Sequence, residues 1–372
     1  MQPRYWVEEG IVDSAIPKFP EPLAEAVALD DAESVRHILG VWAAGYLFNR
    51  GRTEDANQQL GLVAMLEVAD RVRRALDAFG EQLVAAGKEL ELRYRLDEFD
   101  LQRIKEAQAD PWDIARELLN RFSPKWLMGW RDITNSTNER TTIASALPRA
   151  AVGDTFLLMF LPTVEPSLRA CLIASLNSFA QDFCARQKVG GTHMKYNVFR
   201  QLAVLPPARL ATITTFCNAP AFQWISRRAA ELLFTANDLA NLGTDVDCRL
   251  RHFDWDENRR SQIRCELDSA FFHLYLPSNN DGTWKPSEVA VGNVTNETPA
   301  HLAALTRHFP TPRHAVAHIL DSFPLVRKKD EEAHGRYRTK ERILEIYDQM
   351  LEAQRTGSEW VSPLQPPPGT RP

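Results

Sequence analysis

The sequence has no surplus of positive charge. Its 44 Lys and Arg face 49 Asp and Glu, for a net charge of −5. A uniformly basic nucleic-acid binder is thereby excluded, and any contact with a polyanion must come from a local patch. Cysteine is scarce: Cys171, Cys184, Cys217, Cys248 and Cys265 are an odd number, widely spaced, with no Cys-x-x-Cys pair. That argues against a disulfide framework or a zinc ribbon and for the reduced thiols of a cytoplasmic protein. No stretch approaches the roughly 18 apolar residues of a membrane span. The opening Met1-Gln2-Pro3-Arg4-Tyr5-Trp6 lacks the basic-then-apolar pattern of a secretory leader. The expectation is a cytoplasmic chain with no membrane partner.

Chemical signatures are equally thin. Enzymes that methylate DNA amines carry an Asn/Asp-Pro-Pro-aromatic loop, whose amide and carbonyl accept from the target amine while the aromatic stacks on the flipped base. Pro206-Pro207 and Pro366-Pro367-Pro368 have neither the preceding Asn or Asp nor the following aromatic. Gly190-Gly191 follows a helical pattern, the wrong context for a dinucleotide-binding glycine loop. No spaced carboxylates with a lysine suggest a nuclease. His314 and His318 stand four apart, on one face of a helix, with His301 and His308 nearby. No third ligand has convincing spacing, so ordinary surface histidines are the better reading and no metal site is assigned. The sequence therefore assigns no catalytic residue, no cofactor and no S-adenosylmethionine motif to this chain.

What is present is ordinary globular material, 44% hydrophobic and 25% charged. Residues 1–24 hold Pro3, Pro17, Pro20 and Pro22 and read as an extended lead-in. Residues 25–122 read as a helical subdomain, with a stripe of Leu62, Leu66, Ala69, Val72, Leu76, Phe79 and Leu83 on one long helix. The texture changes at Pro124. Trp126 to Trp130 is apolar, and Thr141–Leu147 and Thr155–Leu161 read as short strands around a turn at 150–154. Pro166 opens a helix with the stripe Leu168, Leu172, Leu176, Phe179 and Phe183, stopped at Gly190-Gly191 by the left-handed angles glycine allows. Asn197–Leu205 reads as a further strand.

Residues 123–210 thus form a mixed α/β domain, and 211–355 a helical region with a surface loop at 277–298. Within that region Asp254 and Glu257 have capping-box spacing ahead of a helix to about Tyr275. Its stripe is Trp255, Ile263, Leu267, Phe271 and Leu274. A last helix follows Thr339 with Ile343, Ile346, Tyr347, Met350 and Leu351 on one face. The proline-rich tail 356–372 reads as disordered. The fold class expected is α+β: a mixed domain with short strands, flanked by a helical N-terminal subdomain and a helical C-terminal region.

Three polar runs are candidates for nucleic-acid contact. Arg131–Thr141 is dense in amide, hydroxyl and guanidinium groups, with Arg131, Asn135, Asn138 and Arg140 as its candidates. The bland alternative is that Asn, Ser and Thr bond their own backbone in turns. Arg186–Lys195 combines Lys188 and Lys195 with Gly190, Gly191, Thr192 and His193, and Asn197 follows. Glycines let a backbone approach a phosphate, and lysines supply counter-charge. Its alternative is a helix end followed by a polar turn. Arg327–Arg342 carries seven cations against four anions, among them Arg327, Lys328, Lys329, Arg338 and Lys340. Tyr337 lies inside it as a stacking candidate. A charge run of this kind is also the usual signature of a solvated face.

Four blocks resemble a known family in order. Trp126-Leu127-Met128-Gly129-Trp130-Arg131-Asp132-Ile133-Thr134-Asn135 with Asn138-Glu139-Arg140-Thr141 is the first. Leu176-Asn177-Ser178-Phe179 with Ala185-Arg186-Gln187-Lys188-Val189-Gly190-Gly191-Thr192-His193 is the second, trailed by Gln201-Leu202 and Leu205-Pro206-Pro207. Arg264-Cys265-Glu266-Leu267-Asp268 with Ala270–Tyr275 is the third. Phe323-Pro324, Arg327–Glu331, Gly335, Tyr337–Lys340 and Ile343–Asp348 make the fourth. These resemble the region beyond the catalytic domain of large adenine-specific DNA methyltransferases of type IIG and IIL restriction-modification systems and of related phage-defence systems of the BREX and DISARM kind. The resemblance implies a target-recognition module acting on double-stranded DNA. It also implies a methyltransferase domain or subunit as partner, with S-adenosylmethionine on that partner. The catalytic part has no counterpart here, so a separate subunit, a split product or a fragment is expected. Two other readings compete: a helical scaffold in a defence complex with incidental DNA contact, and an enzyme whose active site is unrecognised.

Overall fold

The computed structural model of the chain describes residues 21–49, 52, 55, 98–106, 112–161, 164–214, 217, 219–246, 251–285 and 299–370. The lead-in up to residue 20, the stripe Leu62–Leu83 and the loop beyond residue 285 lie outside them. The described residues fall into two compact units. One is built from Met1–Pro124 and Phe160–Val164, the other from Lys125–Met159 and Glu165–Pro372. Apart from residues 123–124 and 160–164, the regions 123–210 and 211–355, distinct in texture, share the second unit.

In the first unit, helices α1 (Glu21–Ala28), α2 (Ala32–Asn49), α3 (Glu98–Glu106) and α4 (Trp112–Phe122) pack on one another. Leu23, Val35, Leu39, Leu47, Leu101, Ile104, Ile114 and Leu118 are among their buried residues. Asp31 starts α2 by accepting the Ser34 N–H, which satisfies one of the donors a helix start leaves open. Buried Asp100 is held in a two-pronged bond by Arg121, at 2.7 and 2.8 Å.

The second unit carries a three-stranded antiparallel sheet in the order β2-β1-β3: β1 (Trp126–Arg131), β2 (Ala144–Pro148) and β3 (Phe156–Met159). The apolar run Trp126–Trp130 is the central strand, buried along its whole length up to Arg131. A strand covered on both faces loses the alternation that marks a half-buried one. β2 begins three residues later than the sequence suggests, because the N–H groups of Thr141 and Thr142 bond a carboxylate instead of a strand. Gly129 faces the Leu157 carbonyl so closely that an added Cβ would sit 2.2 Å from its oxygen. Gly129→Ala should therefore cost about 1–3 kcal/mol, the range for forced overpacking. A urea-unfolding midpoint equal to wild type would show that β3 yields freely.

Helices α5 (Pro166–Leu176) and α6 (Phe179–Lys188) follow. One continuous helix was the sequence expectation; the chain breaks at Asn177 and Ser178 instead. The Asn177 side chain leaves the helix to bond the Ala144 N–H and C=O on β2, and Ser178 caps the next helix by accepting from Gln181. Its end also differs from expectation. α6 stops at Lys188 with an extended Val189, and neither Gly190 nor Gly191 has a positive φ. The expected strand Asn197–Leu205 is a single helical turn, α7 (Tyr196–Phe199), then bends. Its aromatics pack against Trp130 instead of joining a ladder.

Beyond α8 (Pro207–Ala211) and the two-residue strands β4 (Ile213–Thr214) and β5 (Ala219–Pro220), the unit is helical. It continues through α9 (Ala221–Leu233), α10 (Ala240–Asp245), α11 (Glu257–Tyr275), α12 (Pro299–His308), α13 (Pro312–Asp321), α14 (Pro324–His334) and α15 (Arg338–Thr356). The cap of α11 is Asp256, which accepts from Arg259; Asp254 precedes the cap. Trp255, read as part of the α11 stripe, is exposed and stacks under Arg260. α11 and α15 share a core in which His273 stacks on Tyr347 with ring centroids 4.0 Å apart. Its Nε2–H donates to the Tyr347 carbonyl, and burial holds its pKa down to about 4. The tail, read as disordered, packs back on this unit. Trp360 is buried, Ser362 donates to Glu266, and the Gly369 N–H donates to Glu231. Buried carboxylates need donors, and the tail supplies two of them. Among the described residues no helix is long and apolar enough to cross a membrane.

Candidate nucleic-acid interface

The first two polar runs meet at the end of β1. Trp130, fully buried, donates its indole N–H to the Met194 carbonyl and stacks on Phe199 at 3.8 Å and 12°. Asp132 then donates its N–H to Thr155 and accepts the Met194 N–H, and Thr134 donates to the Thr192 carbonyl. Ile133 and His193 form an antiparallel bridge. The loops 131–141 and 189–195 are thus backbone-bonded neighbours, although about fifty residues separate them in sequence.

A second set of contacts fixes the far side of the first loop. The Asp182 carboxylate accepts the N–H groups of Thr141 and Thr142, at 2.8 and 2.6 Å. Arg186 pairs with Asp182 and donates to the carbonyls of Ser136, Asn138 and Glu139. Its guanidinium lies 4.1 Å from the centroid of Phe323. Arg140 turns inward too, 3.4 Å above the Phe179 ring and 3.8 Å from Asp268. Burial pushes Asp268 up to about 6, against the opposing pull of Arg140 and the Phe179 N–H.

The third run abuts the first: Lys329 on α14 pairs with Glu139. Five of its other six cations are paired with acids. Arg327 pairs with Glu331, Lys328 with Glu332, Arg336 with Glu341, Lys340 with Asp321 and Arg342 with Glu345. Arg338 meets only His334, at 3.4 Å, among the described residues. Tyr337 is buried and donates to the Leu320 carbonyl, so it is no stacking platform. The excess of cations read along the sequence is largely cancelled by the geometry.

The sequence candidates separate accordingly. Arg131, Gly190, Gly191, Thr192, His193 and Lys195 are exposed on the joined loops, with Lys188 and Asn197 exposed on the helices that flank the second. Arg131 and Lys188 make no ion pair among the described residues. Asn135 is used by its own turn, accepting the Thr137 N–H and hydroxyl, as the bland reading of that run has it. Asn138 offers its carbonyl to Arg186, and Arg140 is a half-buried anchor. Nothing lies within 4 Å of a Cβ added to Gly190 or Gly191, so no contact inside the chain demands glycine there.

Sequence reasoning missed the acids that organise the site: Asp132, Asp182 and Asp268. Each lies in an ordinary polar or helical context, and its role depends on partners far along the chain. Beside Lys329 and Arg140 opens a cleft of about 660 Å³. Its rim charges cancel in pairs, such as Arg264 with Glu257. Among the described residues no three His, Cys, Asp or Glu side chains converge to hold a metal. His314 bonds Thr311, and His318 lies against Phe309. No protein family, curated protein or solved structure matches the chain.

Proposed function

We infer that this chain is the sequence-specific DNA-recognition part of an adenine-specific DNA methyltransferase or related phage-defence system. It meets double-stranded DNA on the joined loops 131–141 and 189–195. The observation that carries the reading is the convergence of three polar runs, distant in sequence, on one face of the second unit. Arg131, Lys188 and Lys195 would anchor phosphates, with Thr192, His193 and Asn197 near base edges. The sterically unneeded Gly190-Gly191 pair leaves its backbone open to close approach by a phosphate. Arg327, Lys328 and Lys329 contribute less, since each is paired with an exposed carboxylate that would face the DNA beside it, whereas the acid beneath Lys195 is buried. Methyl transfer and S-adenosylmethionine belong, on this reading, to a partner domain or subunit.

Salt dependence tests it. With about three or four phosphate contacts, duplex affinity should fall roughly 40- to 150-fold between about 50 and about 200 mM salt. Lys188→Ala with Lys195→Ala should weaken all sequences alike and flatten that slope by about two. Absence of duplex binding at low salt, with and without a methyltransferase partner, would sink the reading.

A further inference from the structure

Two exposed nitrogen side chains on this surface, an imidazole and an ammonium, converge on one buried oxygen. Asp132 is 1% exposed, and its Oδ2 accepts from His193 Nδ1 at 2.8 Å and from Lys195 Nζ at 2.7 Å. Its Oδ1 is buried and meets no donor among the described residues. The backbone that carries it is fixed too, since the Asp132 N–H donates to Thr155 and its carbonyl accepts from Met194. Burial works against its ionised form, but the bonds from Lys195 and His193 outweigh burial and leave the carboxyl below its usual range.

The arrangement is a poor source of field. One carboxylate beneath an ammonium and an imidazole cancels most or all of their charge. Its value to a polyanion is therefore direction. A free surface lysine loses up to about 2 kcal/mol of rotamer freedom on being ordered. Here that ordering precedes any ligand, while the side chains of His193 and Lys195 stay about half exposed.

We propose that Asp132 is a positioning residue that holds the His193 imidazole and the Lys195 ammonium as one pre-aimed unit for a single phosphodiester of the DNA backbone. This rests on the reading of the surface as a DNA interface. It assigns a function to the buried acid of the run 131–141, whose other acid, Glu139, pairs with Lys329.

One substitution that keeps charge but changes geometry, Lys195→Arg, and one that removes the opposing charge, Asp132→Asn, separate direction from charge. Lys195→Arg should weaken duplex binding about as much as Lys195→Met, roughly tenfold. Asp132→Asn should also weaken it, although it removes a negative charge facing a polyanion. Wild-type affinity in Lys195→Arg, together with tighter binding by Asp132→Asn, would overturn the proposal. Nitrogen-15 NMR of the His193 ring reports on positioning without DNA. The Nδ1–H tautomer or the doubly protonated ring is expected in wild type, with Asp132→Asn shifting the balance. A dominant Nε2–H tautomer in wild type would overturn positioning itself. Wild-type protein with the expected ring but no duplex binding would instead remove the DNA interface and the phosphodiester assignment together.

Discussion

Arg186→Ala should lower the unfolding free energy by about 3–5 kcal/mol, the cost of breaking a buried ion pair from one side, and should release the loop 131–141 at the same time. The Arg186 side chain is 7% exposed and that of Asp182 fully buried. Truncation strips Asp182 of the one cation it pairs with among the described residues and leaves the carboxylate on the two N–H groups of Thr141 and Thr142. It also removes the donors to three loop carbonyls and the cation over Phe323. The carbonyls can turn to water, but only if the loop moves, so stability and loop order fall together. Arg186→Lys keeps the charge and loses the fork that reaches three acceptors; it should recover part of the stability and little of the loop order. Urea unfolding gives the first quantity and amide exchange at residues 134–141 the second. A cost below about 1 kcal/mol, typical of exposed pairs, would show that Arg186 does not clamp the loop.

These residues also show what was readable in advance. The two short strands around the turn at 150–154 and the helix with Ile343, Ile346, Tyr347 and Met350 on its inner face are legible in the sequence, and they stand in the structure. The break between α5 and α6 does not, because it is made by Asn177 bonding a strand 33 residues away. The same holds for Arg186 and Arg140. In sequence each is one more cation in a run, and only a fold that brings Asp182, Asp268 and two phenylalanine rings beside them turns both into anchors. Local composition counts charges; it does not see which are already paired. The third run is the clearest case, since five of its seven cations meet an acid on its own or a neighbouring helix, and Lys329 meets one on the loop.

Trp130→Ala is expected to be as costly as Arg186→Ala, about 3–5 kcal/mol for emptying a buried tryptophan site, and to act on the other loop. The ring is fully buried, stacked on Phe199 and met edge-on by Tyr196, whose hydroxyl reaches the Leu158 carbonyl on β3. Without it the turn Tyr196–Phe199 has no platform, and the Met194 carbonyl loses its indole donor. Trp130→Phe restores bulk without the donor and should cost about 1–2 kcal/mol. Urea unfolding of the three proteins measures both values, and near-wild-type stability of Trp130→Ala would mean that the aromatic stack does not hold this turn. Since His193 and Lys195 precede the turn directly, duplex affinity should fall in parallel. The two loops share Asp132 and the Thr134–Thr192 bond, so the Trp130→Ala, Arg186→Ala double variant should cost less than the sum of the singles. Strict additivity would mean that the loops are held independently, and that the surface is two adjacent patches instead of one.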